Sequence, residues 1–307
     1  MNEIDRRSFL KSATTASLAS GALAGGTLAA QAAGAPAKTI PDKPTFFKAV
    51  KWGMIDEKLS VEGKFKLLQD LGFDGVELDS PGGVNKQEAF EASRKTGLPI
   101  HGVVDSTHWR IRLSDPDPSV RAHALRDLQT AIRESHYCGG CAVLLVPGHG
   151  KDGTQEEVAA RSLAQIQKAL SLAAKLGVLI LIENVWNHFL YQHDGPGNQT
   201  ADKLAEFIDR ANSPWVGSYF DIGNHRRYGV PSQWIRRLGH RIRKVDVKDY
   251  NHKTRQWAEI GEGTVDWANV RAELAKLNYH GWATAEVRGG DRKRLKVIKA
   301  QMDRVLG

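Results

Sequence analysis

The chain has 307 residues, of which 41% are hydrophobic and 25% are charged, so it is long enough for one large domain or two small ones. This balance excludes a disordered chain and an integral membrane protein. The formal net charge of +8 could attract anions or nucleic acid, but much of it falls on apparent helix faces, where a solvated surface is the simpler interpretation.

The N-terminal segment has the features of an export signal. Paired arginines, Arg6 and Arg7, precede an apolar run of small residues over 13–30, and Ala30-Gln31-Ala32 is a plausible cleavage site. The arginine pair and the Ser-Phe-Leu-Lys that follows it resemble the twin-arginine signal, whose pathway exports folded proteins. We therefore predict a signal peptide over 1–32, a linker over 33–47 and a periplasmic location. No later segment approaches the length of a membrane span.

From residue 48 onward, apolar runs alternate with amphipathic stretches at a period of roughly thirty residues, which is typical of repeated β-α units. Strands are predicted at 50–55, 75–79, 99–105, 142–147, 178–185, 216–222, 242–248 and 282–287. Helices are predicted at 58–71, 87–96, 119–137, 156–176, 201–211, 232–238, 267–277 and 292–305. Eight such units predict a single-domain α/β fold, a (β/α)₈ TIM barrel over 48–307. The alternative is a doubly wound open sheet, but no glycine-rich phosphate loop follows the first strand.

The two cysteines, Cys138 and Cys141, fall where a predicted helix meets a predicted strand. An exported protein could oxidise them to a disulfide. A redox motif usually opens a helix rather than closing one, so catalytic thiol chemistry is not favoured.

Catalytic groups of such barrels lie at the carboxyl ends of the strands. Each of the last four predicted strands brings a carboxylate there: Glu183, Asp221, Asp246 and Glu286. Converging carboxylates raise one another's pKa unless a cation lies among them. Oxygen ligands suit Mg²⁺ or Mn²⁺, while imidazole or water in the shell would admit Co²⁺ or Zn²⁺. The alternative is a set of interior ion pairs with Lys244, Lys248 and Arg288.

Other polar and aromatic residues are candidates for binding a substrate. Alternation along the last two strands predicts that Lys248 and Arg288 point into the barrel, where they could bind substrate or balance the carboxylates. Further pocket candidates are Glu77, His101, Trp186, Trp257 and Glu262. For each of these an interior hydrogen bond, ordinary packing or a tight turn is the alternative interpretation.

Six short phrases occur in barrel order: GFDGVEL at 72–78, LIEN at 181–184, FDIGN at 220–224, VKDY at 247–250, GEGTVDW at 261–267 and AEV at 285–287. With them the chain resembles the xylose-isomerase-like TIM-barrel superfamily of sugar (phosphate) isomerases and epimerases, in a layout close to ketose 3-epimerases. The resemblance implies a metal held by Glu183, Asp221 and Glu286, with the two glutamates also moving the proton. The histidine of that family is replaced by Asp246, and His225 could restore an imidazole if its loop turns inward.

We therefore expect a metal-dependent sugar isomerase or epimerase that transfers a proton through an enediolate, or a lyase or hydratase variant acting on a keto-sugar. The expected partner is a small sugar, without nucleic acid, and homo-oligomerisation is left open. One alternative is a non-catalytic sugar-binding barrel that has lost its metal through the change at Asp246. Another is a phosphodiesterase related to endonuclease IV, although Val146 stands where that branch places a ligating histidine.

Overall fold

The computed structural model describes residues 44–307 and confirms the TIM barrel. Eight parallel strands close in the order β1-β10-β7-β6-β5-β4-β3-β2. They are β1 (Thr45–Lys51), β2 (Gly75–Ser80), β3 (Ile100–Asp105), β4 (Ala142–Leu145), β5 (Leu179–Glu183), β6 (Val216–Asp221), β7 (Ile242–Val247) and β10 (His280–Ala285). An antiparallel hairpin of β8 (Asp249–Asn251) and β9 (Gln256–Ala258) directly follows β7.

Within residues 44–307, eight α-helices surround the strands, and each predicted helix is present with ends that differ by a few residues. They are α1 (Val61–Asp70), α2 (Lys86–Thr96), α3 (Pro118–Tyr137), α4 (Gln155–Leu176), α5 (Asp202–Arg210), α6 (Pro231–Leu238), α7 (Trp267–Lys276) and α8 (Arg292–Leu306). Helix α4 shows why the boundaries are readable: Thr154 and Glu157 form a capping box at its start, and Gly177 ends it at φ 68°.

The first strand is displaced from its predicted position. It was expected at 50–55 but runs from Thr45 to Lys51, and Trp52–Met54 form a 3₁₀ turn instead. Phe46 and Phe47 bring the strand into the barrel early, because they pack on aromatic rings beside β10. The barrel therefore begins within the segment predicted as linker, and Lys51 stands at the carboxyl end of β1.

The barrel interior below the mouth is filled in two ways. One is an apolar cluster of Ala142, Leu144, Leu181 and Tyr219. The other is a set of hydrogen-bonded polar side chains, the floor network, which begins at the hydroxyl group of Tyr219. Its members are Tyr219, Thr284, His101 and Lys244, joined by Oη–Oγ1, Oγ1–Nε2 and Nδ1–Nζ distances of 2.7, 3.2 and 2.8 Å.

The two cysteines are free thiols. The Sγ of buried Cys138 lies 3.7 Å from the carbonyl oxygen of Lys86, whereas the Sγ of exposed Cys141 lies 3.6 Å from that of His101. Burial raises the pKa of Cys138 to about 11, so its thiolate is disfavoured. Neither thiol is arranged for redox catalysis.

No helix within residues 44–307 is both long and apolar enough to cross a membrane. The predicted signal peptide lies outside the described residues, as does the predicted linker up to residue 43. Export therefore stays a prediction from the sequence.

Candidate active site

Four carboxylates meet at the carboxyl ends of four neighbouring strands. Glu183 ends β5 and Asp221 ends β6, while Asp246 lies in β7 and Glu286 directly follows β10. The register aligns Asp221 with Asp246 across the β6–β7 pair, and Thr284 with Asp246 across the β7–β10 pair. One oxygen from each carboxylate lies within 4.8 Å of every other, and we call these four residues the acidic cluster.

The acidic cluster fits a divalent cation. Asp221 and Asp246 are fully buried, yet Oδ2 of the first and Oδ1 of the second accept no hydrogen bond from the described residues. The other oxygen of Asp221 is held by the backbone N–H groups of Gly223 and Asn224, at 2.8 and 2.6 Å. Buried carboxylate oxygens left without partners are costly, and a cation among them would remove that cost. A shell made only of carboxylate oxygens suits Mg²⁺ or Mn²⁺.

Two ammonium groups also enter the cluster. Lys51 Nζ lies 3.0 Å from Asp246 Oδ2 and 3.6 Å from Glu286 Oε1. Lys248 Nζ lies 2.7 Å from Glu286 Oε2 and 3.4 Å from Asp221 Oδ2. Four ionised carboxylates would exceed these two ammonium groups by two negative charges, which a divalent cation would neutralise. The two lysines thus neutralise only part of the negative charge of the acidic cluster.

The sequence predicted Lys244, Lys248 and Arg288 as possible ion-pair partners of the four carboxylates. Lys244 lies in the floor network and donates to the Nδ1 and the carbonyl oxygen of His101. Arg288 is exposed and forms no ion pair among residues 44–307. The interior ion-pair alternative was therefore correct for Lys248 and wrong for the other two, and it missed Lys51.

The environment drives the pKa values of the two glutamates apart. Burial, together with the nearby charge of Glu286, raises the pKa of Glu183 well above its ordinary value. Burial acts in the same direction on Glu286, but Lys51 and Lys248 outweigh it and lower the pKa of Glu286 to about 2. Without a bound cation, the two ammonium groups therefore favour ionisation of Glu286, whereas burial disfavours ionisation of Glu183. Such a pair is arranged for acid and base roles.

The pKa values of the two aspartates of the cluster are raised, like that of Glu183. Burial raises the pKa of Asp221 to about 7 and that of Asp246 well above its ordinary value. Burial likewise raises the pKa of Glu77, whose carboxylate lies 3.6 Å from Lys51 Nζ. A cation entering the cluster would therefore displace protons from it.

The asparagines of the phrases LIEN and FDIGN hold these carboxylates in place. The side chain of Asn184 donates to the carbonyl oxygen of Asp221 and accepts from its N–H, both at 2.9 Å. Asn224 donates to Glu183 Oε1 at 3.2 Å and accepts from Lys248 at 3.1 Å. At Gly223 a Cβ atom would lie 2.6 Å from the carbonyl oxygen of Lys248, so only glycine allows this approach.

A cavity of about 430 Å³ opens above the cluster, within the size range of small-molecule sites. Glu183, Glu286 and both lysines line it on the polar side. Its aromatic lining consists of His108, Trp109, Trp186 and Trp257. We call this space the reaction cavity.

His108 contributes a neutral imidazole to the reaction cavity. Its Nδ1 accepts the backbone N–H of Val146 at 3.1 Å, and burial lowers its pKa to about 3. The ring proton therefore resides on Nε2, which makes that nitrogen a hydrogen-bond donor.

The remaining predicted pocket residues divide into two groups. Trp186 and Trp257 line the reaction cavity and stack on each other with ring centroids 5.0 Å apart. Glu77 is buried behind Lys51 and does not line the cavity. His101 lies in the floor network and stacks on Trp282, so its placement in the pocket was wrong and the interior hydrogen bond is its setting.

Three further predictions also need correction. Glu262 is exposed and pairs with Arg304 of α8 at 2.6 Å, away from the reaction cavity. Arg288 does not follow the alternation of β10, because that strand ends at Ala285. His225 is buried against Trp234 and bonded to Asn184, and it is not a member of the acidic cluster.

Sequence reasoning missed three residues of the site. Lys51 was overlooked because its strand was displaced. Asn224 lay inside a quoted phrase, yet it was given no role. His108 lies in the loop after β3, where no periodic pattern predicts the direction of a side chain.

Strand order and site geometry together define a TIM-barrel protein with an acidic cluster and an aromatic-walled cavity at its carboxyl mouth. The family model described as xylose isomerase-like TIM barrel matches residues 65–305. The chain belongs to that family.

Among curated proteins, the chain is 25% identical over 244 residues to SgbU of Escherichia coli (strain K12), which is provisionally named an L-ribulose-5-phosphate 3-epimerase. The match covers 73% of this chain and 82% of that protein. Two solved structures share the fold with a TM-score of 0.68. One is the 3-keto-D-glucoside 4-epimerase YcjR from E. coli, 16% identical, with 85% of this chain and 99% of that chain covered. The other is D-allulose 3-epimerase from Methylomonas sp., 17% identical, with 86% and 100% covered.

Proposed function

We propose that the protein is a divalent-cation-dependent isomerase or epimerase of unphosphorylated sugars, which acts by proton transfer between Glu286 and Glu183. The observation that carries the proposal is the convergence of four carboxylates beside the reaction cavity, three of which have a buried oxygen that accepts no hydrogen bond from the described residues. The family and the names of the relatives support sugar chemistry.

The placement of the two glutamates suits proton transfer at a sugar carbon. They belong to β5 and β10, which are separated by β6 and β7, and both line the reaction cavity. A carbon held between them can lose a proton to one glutamate and gain a proton from the other. We assign Glu286 as the base, because Lys51 and Lys248 hold its pKa low, and Glu183 as the group that returns a proton to the carbon.

A cation held by the acidic cluster would polarise the carbonyl oxygen of the substrate and stabilise the oxyanion that forms. The chain supplies the other contacts. His108 Nε2–H can donate to a sugar hydroxyl, while Trp186 and Trp257 can pack on the apolar face of the ring.

Two considerations favour a sugar without a phosphate. Both lysines of the reaction cavity are committed to carboxylates, and no arginine lines it. The predicted export would also place the protein where free sugars and glycosides are available. The periplasmic location remains part of the proposal.

The test is incubation of the Mn²⁺-loaded protein in D₂O with a panel of keto-sugars, followed by NMR of the recovered sugars. The proposal predicts deuterium at the carbon next to the carbonyl and an epimer or isomer that accumulates with it. The matched variants Glu286→Gln and Glu183→Gln should both abolish exchange. Turnover that is unchanged in both variants, or no exchange with any sugar, would contradict the proposal.

The second candidate is a sugar-binding barrel without catalysis. The ion pair of Lys51 with Asp246, where the resembling epimerases have a histidine, favours it, because an ammonium group already occupies part of the cluster. Metal-free protein that binds sugar without deuterium exchange would support it. The nuclease alternative has no such observation, since the acidic cluster contains no histidine and Val146 offers no ligand.

A further inference from the structure

A second cavity, of about 550 Å³, opens beside the reaction cavity. The two share three lining residues: Lys248, Trp257 and Glu286. The residues that line only the second cavity include Ala258, Val287 and Arg288. Because Glu286 and Lys248 belong to both, the second cavity adjoins the reacting groups directly. We call it the outer cavity.

The wall between the two cavities is built by the β8–β9 hairpin, an addition to the eight-stranded barrel. Trp257 lies in β9 with 48% of its surface exposed. Its ring stacks on Trp186 at 5.0 Å and meets Tyr250 edge-on at 5.3 Å. Lys248 Nζ lies 4.9 Å from the centre of the ring. Trp257 is thus held by Trp186, Tyr250 and Lys248, and its exposed surface is available to pack against a ligand.

The hairpin is held rigidly by one buried side chain. Asp249 Oδ2 accepts hydrogen bonds from the Trp267 indole at 2.9 Å and from the Gly261 N–H at 3.0 Å. Its Oδ1 accepts from the N–H groups of Tyr250 and Val265 at 2.8 and 3.3 Å. A rigid wall loses little conformational entropy when a ligand binds.

The outer cavity has the mixed lining that a sugar ring requires. Val287, Ala258 and Trp257 give it an apolar side. Arg294 is bonded to Glu259 by two contacts of 2.7 and 3.0 Å, whereas Arg288 forms no ion pair among the described residues and can donate to hydroxyl groups.

We propose that the substrate is a keto-glycoside of at least two rings, with its keto-sugar in the reaction cavity and its second ring in the outer cavity beside Trp257. The inference rests on the proposed function and adds the substrate class. The glycosidic bond would cross between the cavities at Lys248 and Glu286. A free monosaccharide would leave the outer cavity without a ligand and forgo its contacts.

The test compares a keto-disaccharide with the methyl glycoside of the same keto-sugar, chosen from the deuterium-exchange panel. The ratio of their kcat/KM values should be at least tenfold in favour of the disaccharide for the wild-type protein. Ala258→Trp fills the outer cavity and should bring the ratio close to one. Arg288→Ala removes an exposed hydrogen-bond donor from the outer cavity and should lower the ratio several-fold. Thr254→Trp, at the exposed hairpin tip, is the control and should keep the wild-type ratio.

The outcomes separate the two proposals. Equal kcat/KM values for disaccharide and methyl glycoside, unchanged by Ala258→Trp, would overturn the outer subsite while leaving the proposed function intact. No exchange with either compound would overturn the proposed function itself. If Ala258→Trp changes the oligomeric state in light scattering but not the ratio, the outer cavity is an interface between copies, and the subsite is again overturned. Circular dichroism establishes that each variant is folded.

Discussion

The floor network and the acidic cluster both consist of buried polar side chains, but they differ in how fully their hydrogen bonds are satisfied. In the floor network, Tyr219, Thr284, His101 and Lys244 form a continuous chain of hydrogen bonds. In the acidic cluster, by contrast, one buried oxygen of Asp221 and one of Asp246 accept no hydrogen bond from residues 44–307. A satisfied buried network stabilises the fold, whereas an unsatisfied one is expected where a ligand binds. The contrast identifies the mouth, and not the floor, as the place of chemistry.

The largest expected effect comes from the glutamates at the mouth. Glu286→Gln should lower kcat by about 10²–10⁴, the usual contribution of a general base, and should leave the protein folded. Steady-state kinetics on the sugar found by deuterium exchange measures this. Glu262→Gln is the matched control and should keep full activity, because Glu262 pairs with Arg304 away from the reaction cavity. Equal losses of kcat in Glu286→Gln and Glu262→Gln would contradict a specific role for Glu286.

A substitution in the floor network should lower the stability of the protein without changing its affinity for a cation. His101→Ala leaves the buried ammonium of Lys244 without the ring nitrogen that lies 2.8 Å from it. We expect a loss of about 3 kcal/mol in the free energy of unfolding, as for other buried charges that lose a partner. Urea denaturation measures this loss, and titration calorimetry should show an unchanged Mn²⁺ affinity. A weaker affinity with unchanged stability would contradict the contrast between floor and mouth.

A third prediction concerns the ammonium group that competes for the cluster. Lys51→Met removes a positive charge 3.0 Å from Asp246 and should therefore strengthen Mn²⁺ binding by roughly tenfold or more, given Coulomb energies of a few kcal/mol at such distances. Calorimetry of folded protein tests it, with Lys66→Met as an exposed control that leaves the affinity unchanged. Weaker binding in Lys51→Met would mean that this lysine organises the cation site instead of opposing it.

The smallest effect is a dependence of cation affinity on pH. The pKa of Asp221 is raised to about 7, so below pH 7 this carboxyl is protonated and a cation must displace the proton. Mn²⁺ affinity should therefore fall as the pH drops from 8 to 6, by up to about tenfold per unit below the pKa. Calorimetry in buffers of different ionisation enthalpy would also detect the released proton. An affinity that is flat with pH in the wild-type protein would contradict the assignment.

The sequence predicted the fold well because its signals are local. Helix caps such as Thr154 and Gly177 mark several boundaries, and apolar runs alternate with amphipathic stretches along the chain. The first strand was misplaced because Trp52, Gly53 and Met54 look as apolar as a strand but form a 3₁₀ turn. That single shift hid Lys51, the group that pairs with Asp246.

The site was predictable only where strands determine the direction of side chains. The four carboxylates stand at strand ends, so counting along the strands found them. Arg288 and Glu262 follow strand ends by several residues, and there the chain turns in ways that alternation does not describe. His108 and the Trp257 hairpin depend on contacts between distant segments, such as the bond from the Val146 N–H to His108.

The most direct test of the central claim is the cation content of the folded protein, measured by calorimetric titration with Mn²⁺ and by anomalous scattering from a Mn²⁺-soaked crystal. The account predicts one divalent ion per chain, bound among Glu183, Asp221, Asp246 and Glu286, and lost in Asp221→Asn. A folded protein that binds no cation there, with Lys51 and Lys248 still paired to these carboxylates, would contradict it.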